Sequence, residues 1–205
     1  KKKISLLQQG NRRSQLKLHT PKRATNFSNW YIVREALHSE EIEEVKELVS
    51  SIGLTTATTV GDREGYRESY IKWLPDCDTS EYKWLYNRIW KWAKIANDEN
   101  WGFELAGWKD CLQYTFYDSP SGHYDWHTDF GGPSIDHRKV SSTILLTKPE
   151  EGGELLFRCG NEDVPIHLDI GDAVFFPSWI NHKVADVTSG TRESIVSWIS
   201  GQPFR

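Results

Sequence analysis

The 205-residue chain contains no methionine, only three cysteines, and no apolar run of the roughly 18 or more residues that a membrane-spanning helix needs. The sequence therefore predicts no membrane insertion. Its beginning also lacks the charged, apolar and small-residue regions of a secretory signal. Ordinary usage would supply about four methionines in a chain of this length, and their absence is compatible with a fragment of a longer protein.

The three cysteines, Cys77, Cys111 and Cys159, are odd in number and widely spaced, and no two of them form a Cys-x-x-Cys pair. This pattern argues against a disulfide framework and against a zinc site. It favours a reducing compartment, so we expect a cytoplasmic protein.

Charge is distributed unevenly along the chain. Residues 1–28 hold eight basic residues and no acidic one, whereas the remaining 177 residues hold 17 basic and 29 acidic ones. A basic arm can contact nucleic acid or an acidic partner, but we expect the commoner case of a solvated tail or an arm lying on its own body. The predicted organisation is a basic arm, residues 1–28, followed by a single domain, residues 29–205.

Within that domain, residues 29–102 show two helical repeats of apolar residues. Ser39 is expected to cap the first helix and Gly53 to end it, while Asp78 or Thr79 is expected to cap the second. Short strands are predicted at 29–37, 54–60 and 67–74, with a polar turn at 61–65.

From residue 103 to 205 the pattern changes to short β-like runs that are broken by glycine, proline, aspartate and serine. Because no helical repeat separates these runs, they predict a sandwich or barrel rather than a parallel α/β sheet. The predicted fold is mainly β with supporting helices. The predicted strands are 103–108, 110–117, 122–128, 139–147, 154–158, 164–169, 172–176, 181–187 and 192–199.

Three residues in the β half form a candidate metal site. His127 and Asp129 are two residues apart, so in a strand both side chains point to one face, and His182 follows after several more strands. Two imidazoles and one carboxylate form the facial triad of non-haem Fe(II) oxygenases, which leaves open positions for a cosubstrate and O₂. A lone His-x-Asp pair would be weak evidence, because any strand can contain one by chance.

Arg192 strengthens this interpretation. It lies ten residues after His182, across a predicted turn at 188–190, so a hairpin would place it on the neighbouring strand, within one or two strand widths of the metal. A buried guanidinium binds a carboxylate through two parallel hydrogen bonds. 2-Oxoglutarate needs such a partner for its C5 carboxylate; the alternative for Arg192 is a surface ion pair.

Five segments together resemble the 2-oxoglutarate/Fe(II) dioxygenases of the prolyl 4-hydroxylase type. The resemblance as a whole covers about residues 80–205, and its parts follow one another in the family's order. The segments are QYTFYDSPSGHYDWHTD at 113–129, RKVSSTILL at 138–146, Gly152 to Leu155, Gly171 through Ser178, and His182 through Arg192 to Trp198.

This resemblance implies a double-stranded β-helix (a jelly-roll, cupin-like core), Fe(II) held by His127, Asp129 and His182, and 2-oxoglutarate held by Arg192. Ascorbate is a further cofactor that we expect. The resemblance also implies that the Tyr117 hydroxyl donates to the same C5 carboxylate, although a core role for this tyrosine stays open.

Several neighbouring residues receive other expectations. Tyr124 is expected to pack near the metal. Leu145 and Leu155 stand where relatives have threonine or tyrosine on the cosubstrate, so the carboxylate pocket would depend more on Arg192 and Tyr117. His123 is not expected to be a ligand, and we expect surface positions for Asp110, Asp136, His137 and His167.

The function we expect is hydroxylation of peptidyl-proline by O₂ and 2-oxoglutarate, through an Fe(IV)-oxo species and with release of succinate and CO₂. Alternatives are the same chemistry on a small molecule or a nucleic acid, or a non-catalytic jelly-roll binding module. The acidic catalytic half argues against nucleic acid, and the complete set of four residues argues against a binding module. The sequence makes no prediction about oligomeric state.

Overall fold

The computed structural model describes residues 27–58, 65–79 and 81–203, so most of the predicted basic arm and of the predicted turn at 61–65 lies outside the described residues. The helices are α1 (Ser39–Ser50), α2 (Lys83–Asn100) and α3 (Gly132–Ile135). The first seven strands are β1 (Tyr31–Val33), β2 (Thr55–Thr56), β3 (Arg67–Glu68), β4 (Tyr70–Trp73), β5 (Leu105–Trp108), β6 (Gln113–Asp118) and β7 (His123–His127). The others are β8 (Arg138–Thr147), β9 (Glu151–Gly152), β10 (Leu155–Cys159), β11 (Glu162–Ile166), β12 (Ala173–Pro177), β13 (His182–Val184), β14 (Val187–Ser189) and β15 (Thr191–Gly201).

Two sheets form the body of the molecule. The larger one has the strand order β1-β12-β8-β15-β6-β4-β2, with β5 also paired to β15, and the smaller one has the order β11-β10-β13-β7-β3. A separate short ladder joins β9 to β14. Most neighbouring strands are non-consecutive in the chain, which is the topology of a jelly roll. The predicted fold class, mainly β with supporting helices, is confirmed.

The long central strand β8 shows why the sheets form two layers. Because side chains alternate along a strand, its even-numbered residues Ile144 and Leu146 pack in one buried cluster with the apolar faces of α1 and α2. Its odd-numbered Leu145 packs in a second cluster with Phe157 of β10 and Val184 of β13, strands of the smaller sheet. The larger sheet is therefore buried on both faces, one against helices and one against the smaller sheet.

Both helices begin one or more residues away from the expected caps. The residue that caps α1 is His38, whose backbone N–H is accepted by the Glu41 carboxylate at 3.0 Å, and Ser39 is already the first helical residue. The start of α2 is later than predicted, at Lys83, because the Asp76 carboxylate accepts the Asp78 backbone N–H at 3.1 Å. That side-chain bond holds the preceding residues in a turn.

The strands predicted at 29–37 and 181–187 also need correction. The strand predicted at 29–37 is limited to β1, because the chain turns at Glu35, whose φ is +49° and whose N–H donates to Asp172. The strand predicted at 181–187 is divided into β13 and β14, which pair with different partners. The short helix α3, after the Gly131-Gly132 pair, was not predicted. Within the described residues, the longest helices are not apolar enough to cross a membrane.

Candidate active site

The structure brings His127, Asp129 and His182 together at one point. His127 ends β7 and lies opposite His182, the first residue of β13. Asp129 follows β7 by two residues, and its backbone N–H donates to the Ser178 carbonyl at 2.9 Å, which fixes the carboxylate near both imidazoles. One Asp129 oxygen lies 3.8 Å from His127 Nε2 and the other lies 3.7 Å from His182 Nε2. All three candidate ligand atoms lie within 4.8 Å of one another.

The hydrogen bonds of the two imidazoles determine which ring nitrogen can bind a metal. Nδ1 of His127 contacts the Asp125 carbonyl at 2.7 Å, and Nδ1 of His182 contacts the Ile180 carbonyl at 2.9 Å. Because a carbonyl oxygen only accepts, each Nδ1 must carry the proton. Each Nε2 then presents its lone pair to the shared point, which is the arrangement of metal-binding histidines.

The electrostatics of the cluster also favour a cation. Burial, together with the adjacent His182, lowers the pKa of His127 to about 3, so this ring is neutral at ordinary pH. Burial by itself raises the pKa of Asp129, but the neighbouring His182 and His127 outweigh it and keep the pKa of this carboxyl below its ordinary value. The cluster thus offers two imidazole Nε2 atoms and one carboxylate, a donor set that fits Fe(II).

Arg192 lies in the same cavity, at a position that the hairpin argument described wrongly. His182 belongs to the smaller sheet and Arg192 to β15 of the larger sheet, so the two residues face each other across the sandwich instead of lying on adjacent strands. The Arg192 side chain is 3% exposed, and its Nη1 donates to Ser194 Oγ at 3.0 Å. Among the described residues it forms no ion pair, although an arginine stays protonated even where burial, as here, lowers its pKa.

Two neighbours define the space around this guanidinium. Tyr117 lies directly opposite Arg192 in the β6–β15 register, and its ring centroid is 5.7 Å from the guanidinium carbon. Gly153 has a φ of +70°, and a Cβ at that position would lie 3.3 Å from Arg192 Cδ. Glycine therefore both permits the turn and leaves room for the arginine side chain. Leu145 and Leu155 are buried in the apolar cluster nearby.

A cavity of about 300 Å³ connects these groups. Its lining includes the His127–Asp129–His182 cluster, Arg192 and Tyr117, and it is large enough for a small cosubstrate. Tyr124, as expected, lies beside the cluster: its ring is nearly parallel to that of His127, at a centroid distance of 3.5 Å.

The predictions for His123 and His137 can also be compared with the structure. His123 contacts the Ser121 and Gly65 carbonyls and is not part of the three-residue cluster. His137 is not a surface residue: it is 6% exposed, and its Nε2 lies 3.0 Å from the Asp110 carboxylate. Arg138 binds the same carboxylate through two nitrogens. Spacing alone did not identify this pairing, because 27 residues separate the partners.

Sequence reasoning also missed Arg67, which lines the cavity from β3. Its guanidinium carbon lies 4.5 Å from the Tyr124 ring centroid. No motif surrounds Arg67, and the one available signal was a basic residue among aromatic ones in a predicted strand.

Comparison with known proteins gives the class of this fold and site. Residues 112–200 match the model of the 2OG-Fe(II) oxygenase superfamily. A prolyl-4-hydroxylase from Pseudomonas putida superposes with a TM-score of 0.68 at 18% identity, over 85% of this chain and 93% of that one. A prolyl hydroxylase from Trichoplax adhaerens, in complex with a peptide fragment of a hypoxia-inducible factor, superposes with the same TM-score at 20% identity, over 84% and 83% of the two chains.

Sequence relatives point to the same class. A PKHD-type hydroxylase from Crocosphaera subtropica is 38% identical over 93 residues, which are 43% of this chain and 41% of the relative. Another from Rippkaea orientalis is 26% identical over 82% of this chain and 76% of its own length. The chain thus spans less than half the length of the Crocosphaera subtropica relative that it matches.

These findings confirm the resemblance seen in the sequence. Residues 112–200 are similar to the 2OG-Fe(II) oxygenase superfamily, a class that uses Fe(II) and 2-oxoglutarate, and the fold resembles that of a prolyl 4-hydroxylase. Among proteins of this class, the chain is similar in sequence to the PKHD-type hydroxylases.

Proposed function

We propose that the protein is an O₂- and 2-oxoglutarate-dependent hydroxylase, and that peptidyl-proline is the residue it hydroxylates. The observation that carries the first part is the convergence, in one cavity, of three metal-binding side chains and a buried arginine without a carboxylate partner among the described residues. The proline assignment is supported by the fold neighbours, two of which are prolyl hydroxylases, one with a bound peptide.

In this proposal His127 Nε2, Asp129 and His182 Nε2 hold Fe(II). The iron, when bound, supplies the activation of O₂ and the oxidation of a C–H bond, while 2-oxoglutarate is oxidised to succinate and CO₂. The carbonyls of Asp125 and Ile180 keep each Nδ1 protonated and so hold the two rings in the ligating orientation.

Arg192 binds the C5 carboxylate of 2-oxoglutarate, and the Tyr117 hydroxyl donates a hydrogen bond to the same group. Ser194 holds the guanidinium at one nitrogen, which leaves its other donors for the cosubstrate. The apolar side chains of Leu155, Phe176 and Val184 line the same cavity and exclude water from it. A carboxylate in such a dry site binds a guanidinium more strongly than it would in water.

The test uses the iron-loaded protein with 2-oxoglutarate and a library of proline-containing peptides. We expect iron-dependent formation of succinate and the gain of one oxygen atom, about 16 Da, on the pyrrolidine ring. Strong stimulation by a free small molecule or a methylated oligonucleotide, with none by peptides, would overturn the proline assignment. Absence of succinate under all these conditions would favour the binding-module alternative.

A further inference from the structure

Arg67 is held in a fixed position on the wall of the cavity. Its Nε donates to Ser69 Oγ at 2.8 Å and its Nη2 donates to Gln113 Oε1 at 3.2 Å. Both partners are only 4% exposed, and the guanidinium also lies over the face of Tyr124. Ordering an arginine side chain costs conformational entropy. Because three neutral contacts already order Arg67, a ligand that binds it would not have to meet that cost again.

The charge of Arg67 has no carboxylate partner in the part of the chain that the structure describes. Two of its five N–H donors are used by Ser69 and Gln113. Arg138, another arginine of the cavity lining, already binds Asp110 through two hydrogen bonds. Arg67 is therefore a cation with donors available, next to the ring that stacks on His127.

The anion that would suit Arg67 is not the one that we assign to Arg192. Arg67 binds Gln113 at one end of β6, whereas Arg192 pairs with Tyr117 at the other end. These two β6 residues point to the same face and are separated by four residues, or about 13 Å of strand. The carbon chain of 2-oxoglutarate has four C–C bonds of about 1.5 Å each and is much shorter than this separation. Because the proposed function places the other carboxylate of 2-oxoglutarate on the iron, Arg67 is available to a second anion.

The surroundings of Arg67 indicate what carries that anion. Trp73 lies opposite Gln113 in the β4–β6 register, is 45% exposed and lines the cavity. Its ring centroid is 6.1 Å from that of Trp198. The end of the cavity with Arg67 is thus more open and offers indole faces beside a cation, a combination that suits a chain with apolar groups and a carboxylate.

We propose that Arg67 binds a carboxylate of the prime substrate, so that the enzyme selects substrates with an acidic group close to the oxidised carbon. This inference rests on the proposed function. In a peptide the carboxylate is either an aspartate or glutamate side chain beside the hydroxylated residue or a free C-terminus.

The test compares matched fluorescent peptides with the anaerobic iron- and 2-oxoglutarate-loaded protein. One set contains Asp-Pro, Asn-Pro or Lys-Pro with an amidated end, and a second set contains Asn-Pro with a free or amidated C-terminus. We expect the carboxylate member of at least one set to bind about tenfold more tightly than its amide. This is the gain in affinity that one hydrogen bond to a charged group provides. Tighter binding in the first set assigns a side chain, and tighter binding in the second assigns a C-terminus.

Three variants connect any preference to this arginine. Arg67→Gln should abolish it, Arg67→Lys should keep part of it, and Arg67→Glu should reverse it in favour of Lys-Pro. Arg158→Gln is the matched control, because Arg158 lies on the same sheet but is exposed and pairs with Asp163. The binding constant of 2-oxoglutarate should stay unchanged in Arg158→Gln.

Equal binding of acid and amide peptides, or the same loss of preference in Arg158→Gln, would contradict the proposal, as would tighter binding of a phosphate-bearing oligonucleotide than of any peptide. Failure of the proposed function is separate: it would appear as an absence of iron-dependent succinate formation in the parent protein, whatever the peptide binding shows.

Discussion

Two buried histidine clusters in this molecule have opposite chemistry. His182 and His137 are both 6% exposed, and both have a carboxylate nearby. The Asp110 carboxylate lies 3.0 Å from His137 and is also bound by Arg138. The Asp129 carboxylate stays more than 3.5 Å from each imidazole, since a carbonyl group holds the other side of each ring.

This difference shows what separates a ligand set from a structural ion-pair cluster. In the Asp110 cluster Arg138 provides the positive charge, so the carboxylate is already satisfied. In the Asp129 cluster two imidazole Nε2 atoms and the carboxylate leave a gap that a cation would fill. Both clusters pair a buried histidine with an aspartate; the hydrogen bonds and the presence of Arg138 differ.

The largest effect should come from removing a ligand. Asp129→Ala or His182→Ala should abolish stoichiometric iron binding, because the weakening should exceed the 10- to 100-fold that loss of an outer hydrogen-bond partner causes. Iron content after gel filtration measures this. His137→Ala is the control and should retain iron; a His137→Ala protein without iron would remove the distinction between the two clusters.

The next effect concerns Arg192. Arg192→Gln should weaken 2-oxoglutarate binding by about 10²- to 10³-fold, because loss of one partner of a buried charge pair costs about 3–5 kcal/mol. Arg192→Lys should recover part of the loss, since the charge remains without the two-pronged geometry. Titration of 2-oxoglutarate into the anaerobic iron-loaded variants measures both. Unchanged binding in Arg192→Gln would mean that another basic residue holds the carboxylate.

Tyr117→Phe should have a smaller effect, on the order of 1–2 kcal/mol or about 5- to 30-fold in 2-oxoglutarate affinity, as expected for one hydrogen bond to a charged group. The same titration applies, and iron affinity serves as the control. If the affinity does not change, the tyrosine has only the packing role that the sequence left open.

The smallest effect is a pH dependence of the free energy of unfolding that comes from the Asp110 cluster. Burial raises the pKa of Asp110, but the hydrogen bonds and charges of Arg138 and His137 outweigh it and hold the pKa below its ordinary value. Near pH 3.9, about the pKa of Asp110 in the unfolded chain, the unfolded state therefore binds more protons than the folded state. The stabilisation by Asp110 is fully present above that pH and is lost as the pH falls towards the pKa of Asp110 in the folded state.

Asp110→Asn should therefore lower the free energy of unfolding by about 1 kcal/mol at pH 7 and by less at pH 3. Urea unfolding at both pH values measures the difference. An equal loss at the two values would show that the carboxylate charge does not stabilise the fold.

The success of sequence prediction differs among the elements for physical reasons. The helical repeats predicted α1 and α2, but their first residues were wrong, because the caps depend on side-chain bonds made by Glu41 and Asp76. Most β8 to β15 strands were found, since alternation and turn residues are local signals. The helix α3 has four residues and no repeat long enough to detect.

The sequence by itself determined the candidate residues for the proposed chemistry. The two-residue spacing of His127 and Asp129, the later His182 and an arginine ten residues beyond it are recognisable without coordinates, because residue type determines which atoms can bind iron or a carboxylate. It also determined the fold class, through the many short strands that follow residue 103.

Only the tertiary structure decided which groups meet. Sequence spacing restricts a side chain to one face of its own strand, but distances between strands depend on how the two sheets pack on their shared core. That packing placed Arg192 across the sandwich from His182 and paired His137 with Asp110. It also brought Arg67 to Tyr124 and Gln113, partners far from it in the chain.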